Sequence, residues 1–257
     1  MKKLTRLLIY SVALLGVVIW GCDTTVTDGV QTKQYALQGG LVKNLDIDSV
    51  EAAVSMTKNG GNLTTAILIL SGDTIKYDSG LAKYIKTYDS ASSLPAGNYM
   101  LKTVETPWLN DSIFVAIPVD FGITSIQLPE DRINPGALSV PIEWNPSLGG
   151  DGYIYAVALK DSIYTGYGFS AFVAPGEGTA TSIVPDAFRV SGNVNEPDTG
   201  WYYVYIYSYS GSPETGANLP MLLPEGFSDN ISKPKISGRF GSVVVTARDS
   251  IYVPAGK

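Results

Sequence analysis

The sequence predicts an all-β protein built from two tandem antiparallel β-sandwiches. From residue 35 onward, apolar and polar residues tend to alternate, as in Val50, Ala52, Val54 and Met56, a period typical of strands with one buried face. The chain is rich in Val, Ile, Thr and Tyr, and its 27 glycines and 15 prolines supply frequent turns. After residue 22 no long i, i+3, i+4, i+7 apolar pattern occurs, so no helix is expected.

Residues 1–21 predict an export signal peptide. Lys2, Lys3 and Arg6 precede an apolar run that ends at Cys22, the single cysteine of the chain. The run is shorter than the roughly 20 residues that a membrane-spanning helix needs. We therefore expect the run to be removed after export.

The end of this run resembles the lipobox of bacterial lipoproteins, with the aliphatic Ile19, the small Gly21 and then Cys22, although Trp20 stands where a small residue is usual. The resemblance implies a lipid anchor on Cys22 in the bacterial cell envelope, and it favours the outer membrane or cell surface over the inner membrane. A plain cleaved signal followed by a chance cysteine is the alternative. Residues 22–34 are polar and predict a flexible tether.

Composition excludes several classes of function. Removal of the signal leaves 15 of the 18 basic residues against 24 acidic ones, a net charge of −9, so nucleic acid is not expected as a partner. The chain has no histidine, which excludes Ser-His-Asp and Cys-His catalysis and His-ligated zinc. Acidic clusters at residues 46–51 and 193–198 lack the EF-hand spacing. The sequence predicts no enzyme activity, no cofactor and no metal.

Residues 35–128 are predicted to form the first sandwich. The runs Ala66–Leu70 and Thr74–Tyr77, joined by Ser71-Gly72-Asp73, indicate a β-hairpin. The charged, proline-bracketed residues 129–137 predict a linker to the second sandwich.

A tight turn at Leu94–Gly97 precedes the strand Asn98–Leu101. We expect the ring of Tyr99 to pack inward while its hydroxyl reaches the backbone. This turn and strand resemble those before a late strand of small immunoglobulin-like sandwiches, which implies an immunoglobulin-like first module.

Residues 138–257 are predicted to form the second sandwich. Three runs resemble strands of fibronectin type III domains: Leu138–Pro146, Gly152–Val157 and Trp201–Tyr207. The resemblance implies a fibronectin-like module with insertions at residues 160–200 and 211–238. It also implies a set of core positions: Trp144, Tyr153, Tyr202, Val204 and Ile206.

An aromatic ladder occupies the odd positions of residues 201–209, and its candidate binding residues are Trp201, Tyr203, Tyr205 and Tyr207. Flat amphipathic rings in a row suit stacking on sugars or on a partner's side chains. The alternative is that they pack under the long loops or pair across strands. Tyr164, Tyr167, Phe169 and Phe172 would either extend such a platform or line a second apolar cluster.

Two other features have two interpretations each. Trp108 follows Pro107 at a predicted hairpin tip, where it either caps the first sandwich or serves as an exposed contact residue. The apolar segment Met221–Leu223 lies in a long Pro- and Gly-rich loop. It either covers part of the sandwich or meets a partner chain.

The pattern Asp, then Ser or Thr, then an aliphatic residue or Thr recurs along the chain. Turn chemistry explains such tripeptides, because Asp ends loops and β-branched residues begin strands. They also resemble the O-glycosylation acceptors of exported Bacteroidetes proteins, with Ser112, Ser162 and Ser250 as candidates.

The sequence thus favours a lipid-anchored, non-catalytic binding or scaffold protein outside the cytoplasm. The expected contacts are the membrane, through the lipid on Cys22, and a protein partner, through sandwich loops and aromatic faces. The alternative function is a glycan-binding surface lipoprotein that uses the ladder at residues 201–209.

Overall fold

The computed structural model describes residues 34–127, 139–160, 168–189, 198–214 and 218–253. In these ranges the chain forms β-strands, turns and two short 3₁₀ turns, Ala91–Ser93 and Pro185–Phe188, without any α-helix. No helix in the described ranges has the length and hydrophobicity to cross a membrane. The prediction of an all-β chain is confirmed for this part. Residues 1–33, which include the predicted signal, Cys22 and nearly all of the tether, lie outside it.

The described strands are β1 Tyr35–Asn44, β2 Ser49–Lys58, β3 Gly61–Asn62, β4 Ile67–Leu70, β5 Asp73–Asp78, β6 Lys83–Tyr88, β7 Gly97–Glu105, β8 Leu109–Ile117, β9 Ile123–Ile126, β10 Val140–Trp144, β11 Gly152–Leu159, β12 Gly168–Phe172, β13 Ala180–Ile183, β14 Gly200–Gly211, β15 Ile231–Ser232, β16 Ile236–Val245 and β17 Asp249–Val253.

Two predictions from local sequence, the hairpin after residue 66 and the Tyr99 contact, are confirmed. The predicted hairpin is β4–β5, with Leu70 opposite Asp73. Its two turn residues, Ser71 and Gly72, both have positive φ, 48° and 99°, as a two-residue hairpin turn requires. The predicted tyrosine contact is also present, because the Tyr99 hydroxyl donates to the Pro95 carbonyl at 2.7 Å.

One large sheet has the strand order β12-β11-β14-β16-β1-β2-β6-β5-β4-β7-β8, with β15 and β17 paired to β16 and β14, and β3 paired to β2. Strand β8 at one end packs against β14 and β16, so the sheet folds over on itself in the manner of a β-sandwich. Leu37, Val115 and Phe240 share the core that this encloses. A second, three-stranded sheet has the order β13-β10-β9.

Strand β1 lies between β2 and β16 and is parallel to β16 over ten residues, from Tyr35 opposite Ile236 to Asn44 opposite Val245. All other pairings of the described strands are antiparallel. The expectation of purely antiparallel sheets is therefore wrong at this position. Because β1 and β16 are about 200 residues apart, no turn between them signals their pairing.

The two segments predicted as separate sandwiches are joined by backbone pairing. Strands β1 and β9 belong to residues 35–128, and their partners β16 and β10 belong to residues 138–257. One apolar core draws on both segments, and the described residues fall in one compact unit, residues 33–257. The predicted linker, residues 129–137, lies outside the described ranges.

Burial in strand β2 exceeds the prediction. One buried face is predicted, yet Val50–Val54 are buried at every position, so both faces of the sheet are covered there. The predicted core positions of the second segment are confirmed. Trp144, Tyr202, Val204 and Ile206 are buried, and the half-buried Tyr153 packs edge-on against Trp144 with ring centroids 5.2 Å apart.

Candidate functional site

The middle of the aromatic ladder lies inside the protein. On β14, Tyr205 and Tyr207 are 4 % and 0 % exposed. They belong to a second apolar cluster, against which four loop side chains pack: Leu219, Met221, Leu223 and Phe227. The Tyr207 hydroxyl accepts the Met221 amide at 3.0 Å. Stacking of a ligand on Tyr205 or Tyr207 is therefore wrong as a prediction, and the alternative of packing under a long loop is correct for both residues.

Burial also changes the chemistry of these two phenols. Loss of hydration raises the pKa of Tyr205 to about 12, because a buried phenolate is poorly solvated. The same loss of hydration also raises the pKa of Tyr207. Both side chains are neutral at physiological pH.

The C-terminal end of the ladder is packed against other rings. Tyr209 meets Phe172 and Phe227 edge-on, with centroids 5.8 Å and 5.1 Å away. Phe169 stacks on Tyr155 at 6.0 Å. Phe169 and Phe172 thus line apolar clusters, as one interpretation held, while Tyr164 and Tyr167 lie outside the described residues.

The segment Met221–Leu223 covers this region. Met221 and Leu223 pack on the second cluster, whereas Leu222 is exposed and its carbonyl accepts the Ser170 hydroxyl at 2.7 Å. The segment therefore acts as a cover over β14, which was the first of its two interpretations.

The N-terminal end of the ladder reaches solvent. Trp201 is 45 % exposed and contacts Tyr252, which is 44 % exposed. The two residues are opposite each other in the β14–β17 pairing, with ring centroids 5.5 Å apart. The half-buried ring of Tyr203 lies 5.7 Å from Lys160 Nζ and 4.9 Å from Arg248 Cζ. We call these five residues the β14–β17 aromatic surface.

Tyr252 was missed from sequence, because only the pairing of β17 with β14, about 50 residues away, places it beside Trp201. The alternation in Ser250-Ile251-Tyr252 predicts that Ile251 points inward and Tyr252 outward. This alternation does not identify the neighbouring strand.

A second exposed aromatic residue is Trp108, in the turn between β7 and β8. Its side chain is 57 % exposed, so it does not cap the first sandwich, and its role as a contact residue stays a prediction. The Trp108 amide donates to the Glu105 carbonyl at 2.7 Å, and its own carbonyl accepts Lys235 Nζ at 2.8 Å. Lys58 Nζ lies 5.9 Å from the indole centroid.

Beneath Trp108, one carboxylate connects three strands. Glu105 on β7 has both oxygens 3.0 Å from Lys58 Nζ on β2, and it accepts the hydroxyl of Tyr35 on β1. The Tyr35 hydrogen bond, supported by Lys58, lowers the pKa of Glu105, and the carboxylate in turn raises the pKa of Lys58. The indole of Trp108 thus lies beside an ammonium, that of Lys58, which Glu105 holds in position.

Strand β8 and its neighbours also expose apolar side chains on the outer side of the sheet. Phe114 is 73 % exposed and lies opposite Met100 on β7, and Ile67 on β4 lies opposite Val104. We call Phe114, Met100 and Ile67, together with Trp108 in the adjoining turn, the hairpin face. Large apolar side chains grouped in this way are typical of interaction surfaces.

Two of the predicted acceptor serines are described, Ser112 within β8 and Ser250 near the start of β17. Ser250 is exposed, Ser112 is half-buried and Ser162 lies outside the described residues. The amides of Ser112 and Ser250 donate to the preceding Asp111 and Asp249 carboxylates, at 2.9 Å and 2.7 Å, so each tripeptide makes a local contact of its own. O-glycosylation stays a prediction, and the intact mass of protein from its native host tests it.

The first acidic cluster is engaged in local contacts. The Asp48 carboxylate accepts the Ala91 amide at 2.9 Å, and Asp46 accepts the Arg248 amide at 3.2 Å. In the described ranges, no three acidic, cysteine or histidine side chains are placed to share a metal ion. Most of the second cluster, residues 193–197, lies outside those ranges.

Comparison with known proteins gives distant structural likenesses. No family model and no curated protein matches the sequence. The FN1–FN3 domains of chicken CNTN1 are 10 % identical over 86 % of this chain and 67 % of that one, with a TM-score of 0.28. A Ca²⁺-stabilised adhesin with which an Antarctic bacterium binds ice is 10 % identical over 83 % and 48 %, with a TM-score of 0.21. The D0–D1 domain of intimin is 9 % identical over 82 % and 96 %, with a TM-score of 0.23.

Proposed function

We propose that this chain is a non-catalytic binding protein, anchored outside the cytoplasm by a lipid on Cys22, which engages a protein partner through the hairpin face. The observation that supports the proposal is the exposure of Trp108 and Phe114 on one hairpin, beside Met100 and Ile67. Trp and other large apolar side chains supply most of the binding energy in interfaces when they become buried.

The size of the hairpin face suits such an interface. Trp108 and Phe114 are six residues apart along the hairpin, about 20 Å at the rise of a strand. A standard interface covers about 800 Å² on each partner, which is wide enough to bury both side chains at once.

The charges near Trp108 indicate the chemistry of the partner. Lys235 is exposed, and its ammonium contacts the Trp108 carbonyl, so its positive charge lies at the rim of the hairpin face. Lys58 Nζ lies 5.9 Å from the indole centroid and is shared with Glu105. We expect a partner that presents an apolar patch flanked by carboxylates, since complementary charge at an interface rim increases the association rate.

The lipid anchor and the absence of catalysis rest on the sequence. Cys22 ends a basic and then apolar leader, and the whole chain lacks histidine. Lipid attachment would keep the hairpin face close to a membrane and raise the effective concentration of a partner there.

Co-purification from intact membranes tests this function. Tagged wild-type protein and the double variant Trp108→Ala/Phe114→Ser are recovered from crosslinked native membranes, with Leu148→Ser, a change at an exposed leucine outside the hairpin face, as the matched control. We expect one neighbour to be recovered with wild type and Leu148→Ser and to fall at least tenfold with the double variant. Equal recovery with all three proteins would exclude the hairpin face.

A further inference from the structure

We infer that the β14–β17 aromatic surface binds an acidic saccharide. This site differs from the hairpin face in its strands and its ligand class, so it goes beyond the proposed function. It also replaces the four-residue ladder by Trp201, Tyr252 and Tyr203, together with Lys160 and Arg248.

The first step is the pair of exposed rings. Trp201 and Tyr252 are each nearly half exposed, although they contact each other at 5.5 Å. Their planes are tilted by 56°, so the two rings present differently oriented faces to solvent instead of closing on each other. Both are attached to paired strands, which fixes their spacing and lowers the entropic cost of binding.

The second step is the positive charge behind these rings. Lys160 is exposed, and its ammonium lies 5.7 Å from the Tyr203 centroid. The backbone fixes its position, because the Lys160 amide donates to the Trp201 carbonyl at 2.9 Å. Arg248 lies 4.9 Å from the same ring, and its side chain is half exposed. Two cations therefore lie around one ring in a chain whose overall charge is negative.

Arg248 is fixed in place by a partial ion pair. Its Nε lies 3.5 Å from Asp46 Oδ1, and its amide donates to the same oxygen at 3.2 Å. Lys160 has no carboxylate within ion-pair distance in the described ranges. The ammonium of Lys160 is thus the group at this surface with which a carboxylate or sulfate of a ligand would pair.

The third step is the polar border of the rings. The ring faces are bordered by polar groups, including the exposed Ser250, which is opposite Tyr203 in the strand pairing. Rings bordered by a hydroxyl and by cations match a pyranose, which has C–H faces for stacking and hydroxyls at its edge. An acidic substituent on that sugar would meet Lys160 and Arg248.

The test uses the full chain in detergent on an array of sulfated, sialylated and uronate-containing oligosaccharides, printed beside their neutral parent sugars. We expect binding to acidic members at least tenfold stronger than to the neutral parents, and weakening as NaCl rises from 50 to 500 mM. Silence across the array, or equal binding of acidic and neutral members, would overturn the inference.

Variants then assign the binding to these residues. Trp201→Ala and Tyr252→Ala are each expected to weaken binding at least tenfold, Trp201→Phe to retain part of it, and Lys160→Gln to reduce the preference for acidic sugars. Leu148→Ser, at an exposed leucine outside both surfaces, is the control and should bind like wild type. Unchanged binding by Trp201→Ala, with wild-type thermal stability, would place the saccharide elsewhere and contradict the inference. Because partner recovery depends on Trp108 and Phe114, the two proposals fail independently.

Discussion

Single side chains fix the ends of strands that come from distant parts of the sequence. Glu105 connects β7 to Lys58 on β2 and to Tyr35 on β1, and Lys43, buried on β1, reaches Asp120 beyond β8 with Nζ and Oδ1 2.7 Å apart. A buried charge is costly without a partner. Both contacts therefore give residue-scale tests of the fold around the hairpin face.

The first test concerns the pH dependence of Glu105. Its pKa is lowered in the folded state, so its contribution to stability is present above the unfolded carboxyl pKa, about 4.3, and is lost as the pH falls through the lowered folded value. We expect Glu105→Gln to be less stable than wild type at pH 7, and the two to converge below about pH 4. Urea unfolding between pH 3 and 7 measures this, with the exposed Glu143→Gln as control; a constant difference over that range would contradict it.

The second test concerns the buried ammonium of Lys43. Asp120→Ala leaves this cation without its partner and should lower the free energy of unfolding by about 1–3 kcal/mol. This is less than the cost of breaking a fully buried ion pair, because Asp120 is half exposed. Lys43→Met/Asp120→Ala should regain most of that loss, since an apolar side chain then fills the site. If the double variant were less stable than Asp120→Ala in urea unfolding, the charge would not be the cause.

At the scale of elements, the parallel pairing of β1 and β16 joins the two sequence segments. The approach of the two strands depends on small residues: a Cβ on Gly238 would lie 1.9 Å from the Leu37 carbonyl oxygen, and Gly238 has φ of +124°. Only glycine adopts this conformation without strain. This glycine therefore specifies the pairing as directly as any apolar contact.

Gly238→Ala is expected to destabilise the protein by at least about 2 kcal/mol, because it adds backbone strain to a clash with a neighbouring strand. Gly122→Ala is the matched control, since a Cβ there meets no atom within 4 Å and should change stability by about 0.5 kcal/mol or less. Thermal and urea unfolding measure both. A Gly238→Ala protein as stable as Gly122→Ala would contradict the β1–β16 register.

The sequence predicted the features that depend on residues a few positions apart. It did not predict which distant strands pair with each other. The β4–β5 turn, the Tyr99 contact and the buried face of Tyr202, Val204 and Ile206 follow from local period and turn chemistry. The β1–β16 pairing and the position of Tyr252 depend on which strands become neighbours. For the ladder, alternation identified one face of β14. It did not reveal that the loop at residues 219–227 covers the middle of that face.

At the scale of the whole molecule, the proposed arrangement is an all-β body carrying two exposed surfaces and tied to a membrane by its N-terminus. Two acyl chains at about 0.8 kcal/mol per buried CH₂ would supply on the order of 20 kcal/mol of nominal membrane affinity. The net charge of −9 expected after signal removal would not attract the body to anionic lipid. Membrane attachment should therefore depend on Cys22 alone.

Cys22→Ala is expected to move the protein from the membrane fraction to the soluble or secreted fraction, because the only acyl acceptor is lost. Fractionation of native cells measures this, and the intact mass of the wild-type protein should show a mature chain that begins at Cys22 with a diacylglyceryl group. A Cys22→Ala protein that remains membrane-bound would exclude the lipid as its anchor.

The most direct test of the binding function is photocrosslinking at single positions in living cells. Phe114→p-benzoylphenylalanine places the reactive group on the hairpin face, and Leu148→p-benzoylphenylalanine places it on an exposed leucine outside that face. We expect position 114 to give one discrete protein adduct that position 148 does not give. No adduct at 114, or the same adducts at both positions, would contradict binding through the hairpin face.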